Sequence, residues 1–290
     1  MPPIASDQID TNAASNNVPL DAVIVGAGFA GLYMLHRLNE MGLNARVIEA
    51  APDVGGTWYW NRYPGAQCDI ESMQYSYQFS EELQQEWNWK QRYASQPEIL
   101  EYMQHVADRF DLRKNITFET RVTTATYDEH TSRWSVKTDK GEELSTRFFI
   151  LAVGCLSTTL LPQTEESFDF KGQVYHTGKW PDEGVDFTGK KVGVIGTGSS
   201  GVQIIPNIAK EATHLSVFQR TAGYVVPAQN RPLDSEEVSE IKSGYGELRA
   251  KAKASPIAFI FPMHTDSALD ASEEQRQERF EQQWEIGGLP

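Results

Sequence analysis

The six residues Gly26-Ala27-Gly28-Phe29-Ala30-Gly31 constrain this chain more than any other feature. They follow a short apolar run, Leu20 to Val25, and open a segment with helical spacing at Leu32, Leu35 and Leu38. Gly42 stands where a C′ glycine ends a helix, and Ala45 to Ile48 returns as a second apolar run. This succession of strand, tight turn, helix and strand is the context in which a G-x-G-x-x-G pattern signifies a dinucleotide fold. The first glycine permits the turn. The second lets the backbone approach a pyrophosphate, and the third lets helix and strand pack closely. Phosphates then sit against the positive helix N-terminus. Glu49 ends the second run, 23 residues after Gly26, where its carboxylate can accept hydrogen bonds from ribose hydroxyls.

The pattern recurs. Val192 to Ile195 leads into Gly196-Thr197-Gly198-Ser199-Ser200-Gly201, and a further apolar run spans Leu215 to Gln219. This copy ends in Arg220-Thr221, 24 residues after Gly196, instead of an acid. A cation and a hydroxyl suit a ribose 2′-phosphate, which a carboxylate would repel. The first unit therefore suits FAD or NAD and the second NADP; Arg220 taken alone could equally be a solvated surface arginine. Between the two, residues 97–110 read as an amphipathic helix with Pro97 in its first turn. Runs at 116–122, 123–128 and 133–139, followed by Phe148 to Gly154, predict a small antiparallel meander inserted before the chain returns to the main sheet. Residues 157–190 are a long connection, and 233–290 are mostly polar with helical patches. Two nucleotide folds in one chain, the first interrupted by a meander, form the architecture of flavin-dependent pyridine-nucleotide enzymes. Neither C-x-x-C nor C-x₄-C occurs, which argues against a dithiol reductase.

Composition narrows the rest. The 290 residues suggest about two domains. With 26 basic and 40 acidic residues, the formal net charge is −14, a surface that repels nucleic acid and anionic lipid. The two cysteines, Cys68 and Cys155, make neither a disulfide framework nor a zinc site, and metal ligation is not expected. They fit a reducing cytoplasm. The longest apolar run, Phe148 to Leu156, is too short for a membrane helix and reads as a buried parallel strand. Residues 1–19 read as a disordered polar tail.

Two further segments carry a resemblance. FKGQVYHTGKWP at 170–181 resembles the F-x-G-x-x-x-H-x-x-x-W-P fingerprint of the Baeyer–Villiger monooxygenases at Phe170, Gly172, His176, Trp180 and Pro181. GTWYWNRYPGAQCD at 56–69 is similar to a second pattern of that family at Gly56, Trp58, Tyr63, Pro64, Gly65 and Asp69. The resemblance covers about residues 20–290 and implies an α/β fold of two Rossmann-like dinucleotide-binding domains with a β-meander and a helical insertion. The implied parts are a tail at 1–19, an FAD domain at 20–155, a fingerprint linker at 156–190, a partial NADP domain at 191–222 and a partial helical insertion at 223–290.

The implied cofactors are FAD and NADPH. Around FAD the resemblance places Gly26, Gly28, Ala30, Gly31, Glu49, Thr57, Trp58, Tyr59, Trp60, Asp69, Tyr75 and Val122. Around NADP it places Gln67, Cys68, Thr197, Gly198, Ser199, Ser200, Gly201, Val202, Gln203, Arg220 and Thr221. It sets Asp69 beside the isoalloxazine and the nicotinamide, orienting a catalytic arginine that this chain lacks. His176 and Trp180 would couple the domains instead of doing chemistry. Plainer readings stand beside these: a turn-forming aspartate, a satisfied linker histidine, a core tryptophan. Gln67 departs from the family's YPGARCD, and Cys155 stands where near relatives carry Gln.

The implied reaction is NADPH- and O₂-dependent conversion of ketones to esters or lactones through a C4a-peroxyflavin. The alternatives are an N-hydroxylating or sulfoxidising flavin monooxygenase and a non-catalytic FAD-binding subunit. The second unit has only the one β-α-β of 192–220 and no returning strand completes the flavin domain, so the C-terminal half is expected to be missing. On that reading the fragment alone is inactive, and the other half, as a separate chain, is a candidate partner.

Overall fold

The computed structural model describes residues 19–160, 170–260 and 267–288. Apart from Pro19, the expected tail lies outside them. The chain divides into two compact units: residues 1–56 with 106–155, and residues 57–105 with 156–290.

The first unit is built on β1 (Leu20–Val25), α1 (Phe29–Glu40) and β2 (Ala45–Ile48). Ala22, Val23 and Ile24 are fully buried, so both faces of β1 are covered, as a central parallel strand requires. On α1, Leu32 and Leu35 are also fully buried. The helix stops at Gly42, whose φ of +71° is the left-handed conformation a C′ glycine adopts at little cost.

Four strands complete a mixed sheet: β3 (Ile116–Thr117), β4 (Val122–Asp128), β5 (Arg133–Thr138) and β6 (Glu143–Leu151). Their order is β3-β2-β1-β6-β5-β4. β1 pairs parallel with β2 and β6, and β2 with β3, whereas β4, β5 and β6 pair antiparallel.

Two details differ from the sequence reading. The meander is not a separate insertion, because β6 is nine residues long and serves both parts. Its residues 143–146 pair with β5, and those from Thr146 onward pair with β1. The expected strand at 116–122 also splits. Ile116–Thr117 extends the parallel edge, and the chain turns through Glu119, at φ +51°, before β4 begins.

The second unit holds α2 (Thr57–Trp60), α3 (Glu81–Glu86) and the start of α4 (Gln96–Arg109). It also holds a second parallel unit, β7 (Lys191–Ile195), α5 (Ser199–Ile208) and β8 (His214–Phe218). Tyr63, Ala66, Trp180, Phe187, Ile204 and Ile208 form a core here.

The helices α6 (Ser235–Ser243), α7 (Tyr245–Ala254) and α8 (Glu273–Ile286) follow. Two buried cations dock the first two. Lys242 donates to the Gln85 carbonyl at 2.5 Å and Asn88 Oδ1 at 2.7 Å. Arg249 donates to Gln84 Oε1, the Gln74 carbonyl and Ser76 Oγ at 3.0, 2.8 and 2.6 Å. Burial depresses the pKa of both. Neutral acceptors satisfy the hydrogen-bonding demand that burial would otherwise leave unmet. Among the described residues no helix is long and apolar enough to cross a membrane.

Leu35 is fully buried between α1 and the sheet. Leu35→Ala is expected to cost about 2–5 kcal/mol, lowering the denaturant midpoint with an unchanged slope. A change under about 0.5 kcal/mol would show that this face of α1 is not core.

Candidate functional site

The first glycine turn is shaped by backbone crowding. Gly26 has φ +102°, and a Cβ there would lie 2.7 Å from the Ala152 carbonyl oxygen. A Cβ on Gly31 would overlap the Gly26 carbonyl itself. Gly28 is the N-cap of α1 and, being glycine, offers no side-chain cap. Opposite it lies Gly56, at φ +52°, where a Cβ would stand 2.8 Å from Gly28 Cα. The fingerprint glycine thus meets the dinucleotide glycine backbone to backbone. Ala30 is exposed on the first turn of α1.

Glu49 is only 5% exposed and is engaged at both oxygens. Oε2 accepts from the Ala27 N–H at 2.5 Å and Oε1 from the Ala51 N–H at 2.7 Å. The carboxylate therefore braces the glycine turn against the chain beyond β2. Each oxygen retains lone-pair capacity for a hydroxyl donor. Sequence reasoning assigned Glu49 a ligand role and missed this structural one. Val122 opens β4 and packs against the cluster of Val23, Ile48, Val136 and Leu144, so its side chain is a core element.

The second turn repeats the first. Gly196 has φ +100°, and Gly198 is the uncapped N-cap of α5. A Cβ on Gly201 would lie 2.5 Å from the Gly196 carbonyl oxygen, while one on Gly198 would meet open space. Gly26 N–H donates to the Ile48 carbonyl and Gly196 N–H to the Phe218 carbonyl, both at 2.9 Å. This equivalence aligns Glu49 with Gln219, each 23 residues after its first glycine. Gln219 Nε2 donates to Thr197 Oγ1 at 2.8 Å, a neutral brace where the first unit has a carboxylate. Equal spacing was the available signal for Gln219. Arg220 and Thr221 follow and are exposed, as is Ser199, while Val202 is partly buried.

The remaining candidates gather in the second unit. Thr57 to Trp60 form α2; Trp58 Nε1 donates to Tyr75 Oη at 3.1 Å, and the two rings meet edge to face. Tyr59 lies under the Arg62 guanidinium, which also pairs with Asp182 at 2.6 Å. Asp69 is exposed and lines a cavity of about 430 Å³ with Glu71, Arg92, Tyr93, Phe259 and Ile260. Gln203 Nε2 donates to Asp69 Oδ1 at 3.2 Å, and Tyr63 Oη donates to Gln203 Oε1 at 2.8 Å.

Cys68 is buried, and burial pushes its thiol up to about 11, whereas Cys155 is exposed. Trp180 packs with Tyr63, Ile204 and Ile208, joining both fingerprints to α5. His176 caps a short 3-10 turn by accepting from the Gly178 N–H at 3.0 Å.

Comparison with known proteins places this geometry. The family model for flavin-binding monooxygenase-like proteins matches residues 21–234. The chain belongs to this family. It is 49% identical over 278 residues to a Baeyer–Villiger monooxygenase of Pseudooceanicola batsensis, across 96% of this chain and 51% of that one. It is 46% identical to phenazine N-monooxygenase PhzNO1 of Lysobacter antibioticus, across 92% of this chain and 49% of that one. A structure of oxidized steroid monooxygenase bound to NADP is 55% identical, with a TM-score of 0.87 over 93% of this chain and 51% of that one. The chain spans about half the length of these relatives. Within this flavin-binding monooxygenase chain, both glycine turns and both fingerprints fall inside the matched 21–234.

The bracing role of Glu49 is testable without any ligand. In Glu49→Gln the amide must turn its NH₂ toward either the Ala27 or the Ala51 N–H, and a donor would face a donor. The loss is expected at about 1–3 kcal/mol in denaturant unfolding. Stability unchanged from the native chain would refute the brace.

Proposed function

We propose that this chain supplies the FAD- and NADPH-binding parts of a Baeyer–Villiger monooxygenase that converts ketones to esters or lactones. The observation that carries the reading is the pair of matching glycine turns with different endings: Glu49 at the first, Gln219-Arg220 at the second. Both turns fit a dinucleotide. Each helix starts from a glycine that offers no side-chain cap, and a Cβ would intrude at Gly26, Gly31 and Gly201. Residues 20–155 are assigned to FAD, 191–222 to NADP, 156–190 to the linker and 223–290 to a helical insertion.

When bound, FAD supplies oxygen activation and NADPH supplies the hydride. The protein's part is to bind and orient. Gly26, Gly28 and Gly31 would hold the flavin's pyrophosphate against α1, and Glu49 would take ribose hydroxyls on its remaining lone pairs. Gly196, Gly198 and Gly201 would hold the pyrophosphate of NADP against α5. Arg220 would pair with the 2′-phosphate and Thr221 would donate to it. Buried Trp58 and its partner Tyr75 supply apolar surface that excludes water beside the reacting groups. Asp69, exposed on the 430 Å³ cavity, would orient a cation there.

Likeness to a phenazine N-monooxygenase favours a second reading, oxygenation at a ring nitrogen. The fingerprint at 170–181 supports ketone oxygenation instead. The polypeptide containing this chain, given FAD, NADPH and O₂, is expected to form ester from phenylacetone or cyclohexanone. N-oxide from phenazine with no ester from ketones would establish the second reading. NADPH oxidation without either product would support a binding role alone.

Arg220→Ala is expected to raise the apparent KM for NADPH by about ten- to hundredfold, from loss of a charge-assisted pair, while changing that for NADH little. Equal effects on both nucleotides would overturn the assignment of the second turn to NADP.

A further inference from the structure

We propose that Gln203 is a positioning residue: it clamps the 63–69 loop onto α5 and so ties the placement of Asp69 to the second glycine turn.

The side-chain amide of Gln203 is fully used. Its Oε1 accepts from Tyr63 Oη at 2.8 Å and from the Gln67 N–H at 3.4 Å. Its Nε2 donates to the Gln67 carbonyl at 3.0 Å and to Asp69 Oδ1 at 3.2 Å. A carboxamide has two donors and one oxygen with two lone pairs, so these four contacts leave nothing for a nucleotide.

The surrounding helix face is built for the same loop. Gln203 and Asn207 stand four residues apart and share a face of α5. Asn207 Nδ2 donates to the Gln203 carbonyl at 2.9 Å. Gly65, at φ +84°, presses on that face so closely that a Cβ would overlap the Asn207 amide and lie 2.5 Å from the Gln203 carbonyl oxygen. Beside it, Tyr63 and Ala66 are buried against Ile204, Ile208 and Trp180.

The loop is therefore held at Tyr63, Gly65, Gln67 and Asp69 by the helix whose first turn begins at Ser199. A nucleotide settling at that first turn fixes α5, and the clamp passes the constraint to Asp69. The coupling rests on the reading of Gly196–Gly201 as the NADP site; the clamp itself does not. Tyr63 and Gly65 belong to the 56–69 fingerprint and Trp180 to the 170–181 fingerprint, so both are tied to α5 through packing.

Gln203→Glu keeps the shape and the acceptor for Tyr63. It replaces the donor by a carboxylate oxygen facing the Gln67 carbonyl and the Asp69 carboxylate. Amide hydrogen exchange across 63–69 is expected to quicken by about three- to tenfold, the factor set by losing one such bond. Adding Asp69→Asn returns a donor to the pair and should slow exchange again, a coupling that a double-mutant cycle measures. If Gln203→Glu does not fold, Gln203→Met, of similar length and without a donor, should show the same quickening.

NADP⁺ added to the native chain is expected to slow exchange at 63–69, and to lose that effect in Gln203→Glu. Unchanged exchange in both variants would overturn the clamp. NADP⁺ affinity falling more than tenfold in Gln203→Glu, unrelieved by Asp69→Asn, would make Gln203 a nucleotide ligand instead. NADP⁺ binding with no change at 63–69 would overturn the coupling alone. No NADP⁺ binding by the native chain would overturn the coupling and the nucleotide reading together.

Discussion

A side chain on Gly31 would occupy the space of the Gly26 carbonyl oxygen, and the arrangement of the first unit follows from that contact. With hydrogen in place of Cβ, α1 starts directly against the end of β1. Its N-cap, Gly28, brings no side-chain cap. The helix direction aligns Leu32 and Leu35 with the sheet, where both are fully buried. Gly201 and Gly196 repeat the contact, at 2.5 Å for a Cβ on Gly201. One steric requirement, met twice, gives the chain two equivalent cradles. The residue that closes each then differentiates them: Glu49 bridges two backbone N–H groups, and Gln219 bonds the Thr197 hydroxyl.

The fingerprint glycines obey the same logic. Gly56 abuts Gly28 and Gly65 abuts α5, each at a separation no Cβ tolerates. The 56–69 pattern is thus largely a record of backbone approaches. The contact of this loop with α5 also makes no demand on the side chain at position 67. Gln67 meets Gln203 through its own N–H and carbonyl, which any residue but proline supplies. Nothing in the structure explains Cys155, which is exposed beyond the end of β6.

Much of the fold was legible before any coordinates. The turns at Gly26 and Gly196, the stop at Gly42 and the helix near 97–110 each rest on local rules: positive φ at glycine, apolar spacing, proline in a first turn. The error at β6 shows where such rules end. Period-two patterning marks a strand but does not choose its neighbours. Thr146 pairs with both Trp134 and Leu20, and such sharing of one strand is a matter of register across the sheet.

The candidate site divides in the same way. Sequence alone determined the two glycine turns, the acid ending the first unit and the cation after the second, because strand-turn-helix geometry fixes those positions within about 25 residues of chain. Tertiary structure alone decided what Glu49 and Gln203 do. Glu49 binds Ala27 across 22 positions, and Gln203 reaches Gln67 across 136. A hydrogen bond between residues so distant in sequence depends on how strands, helix and loop pack together, which local patterning does not encode.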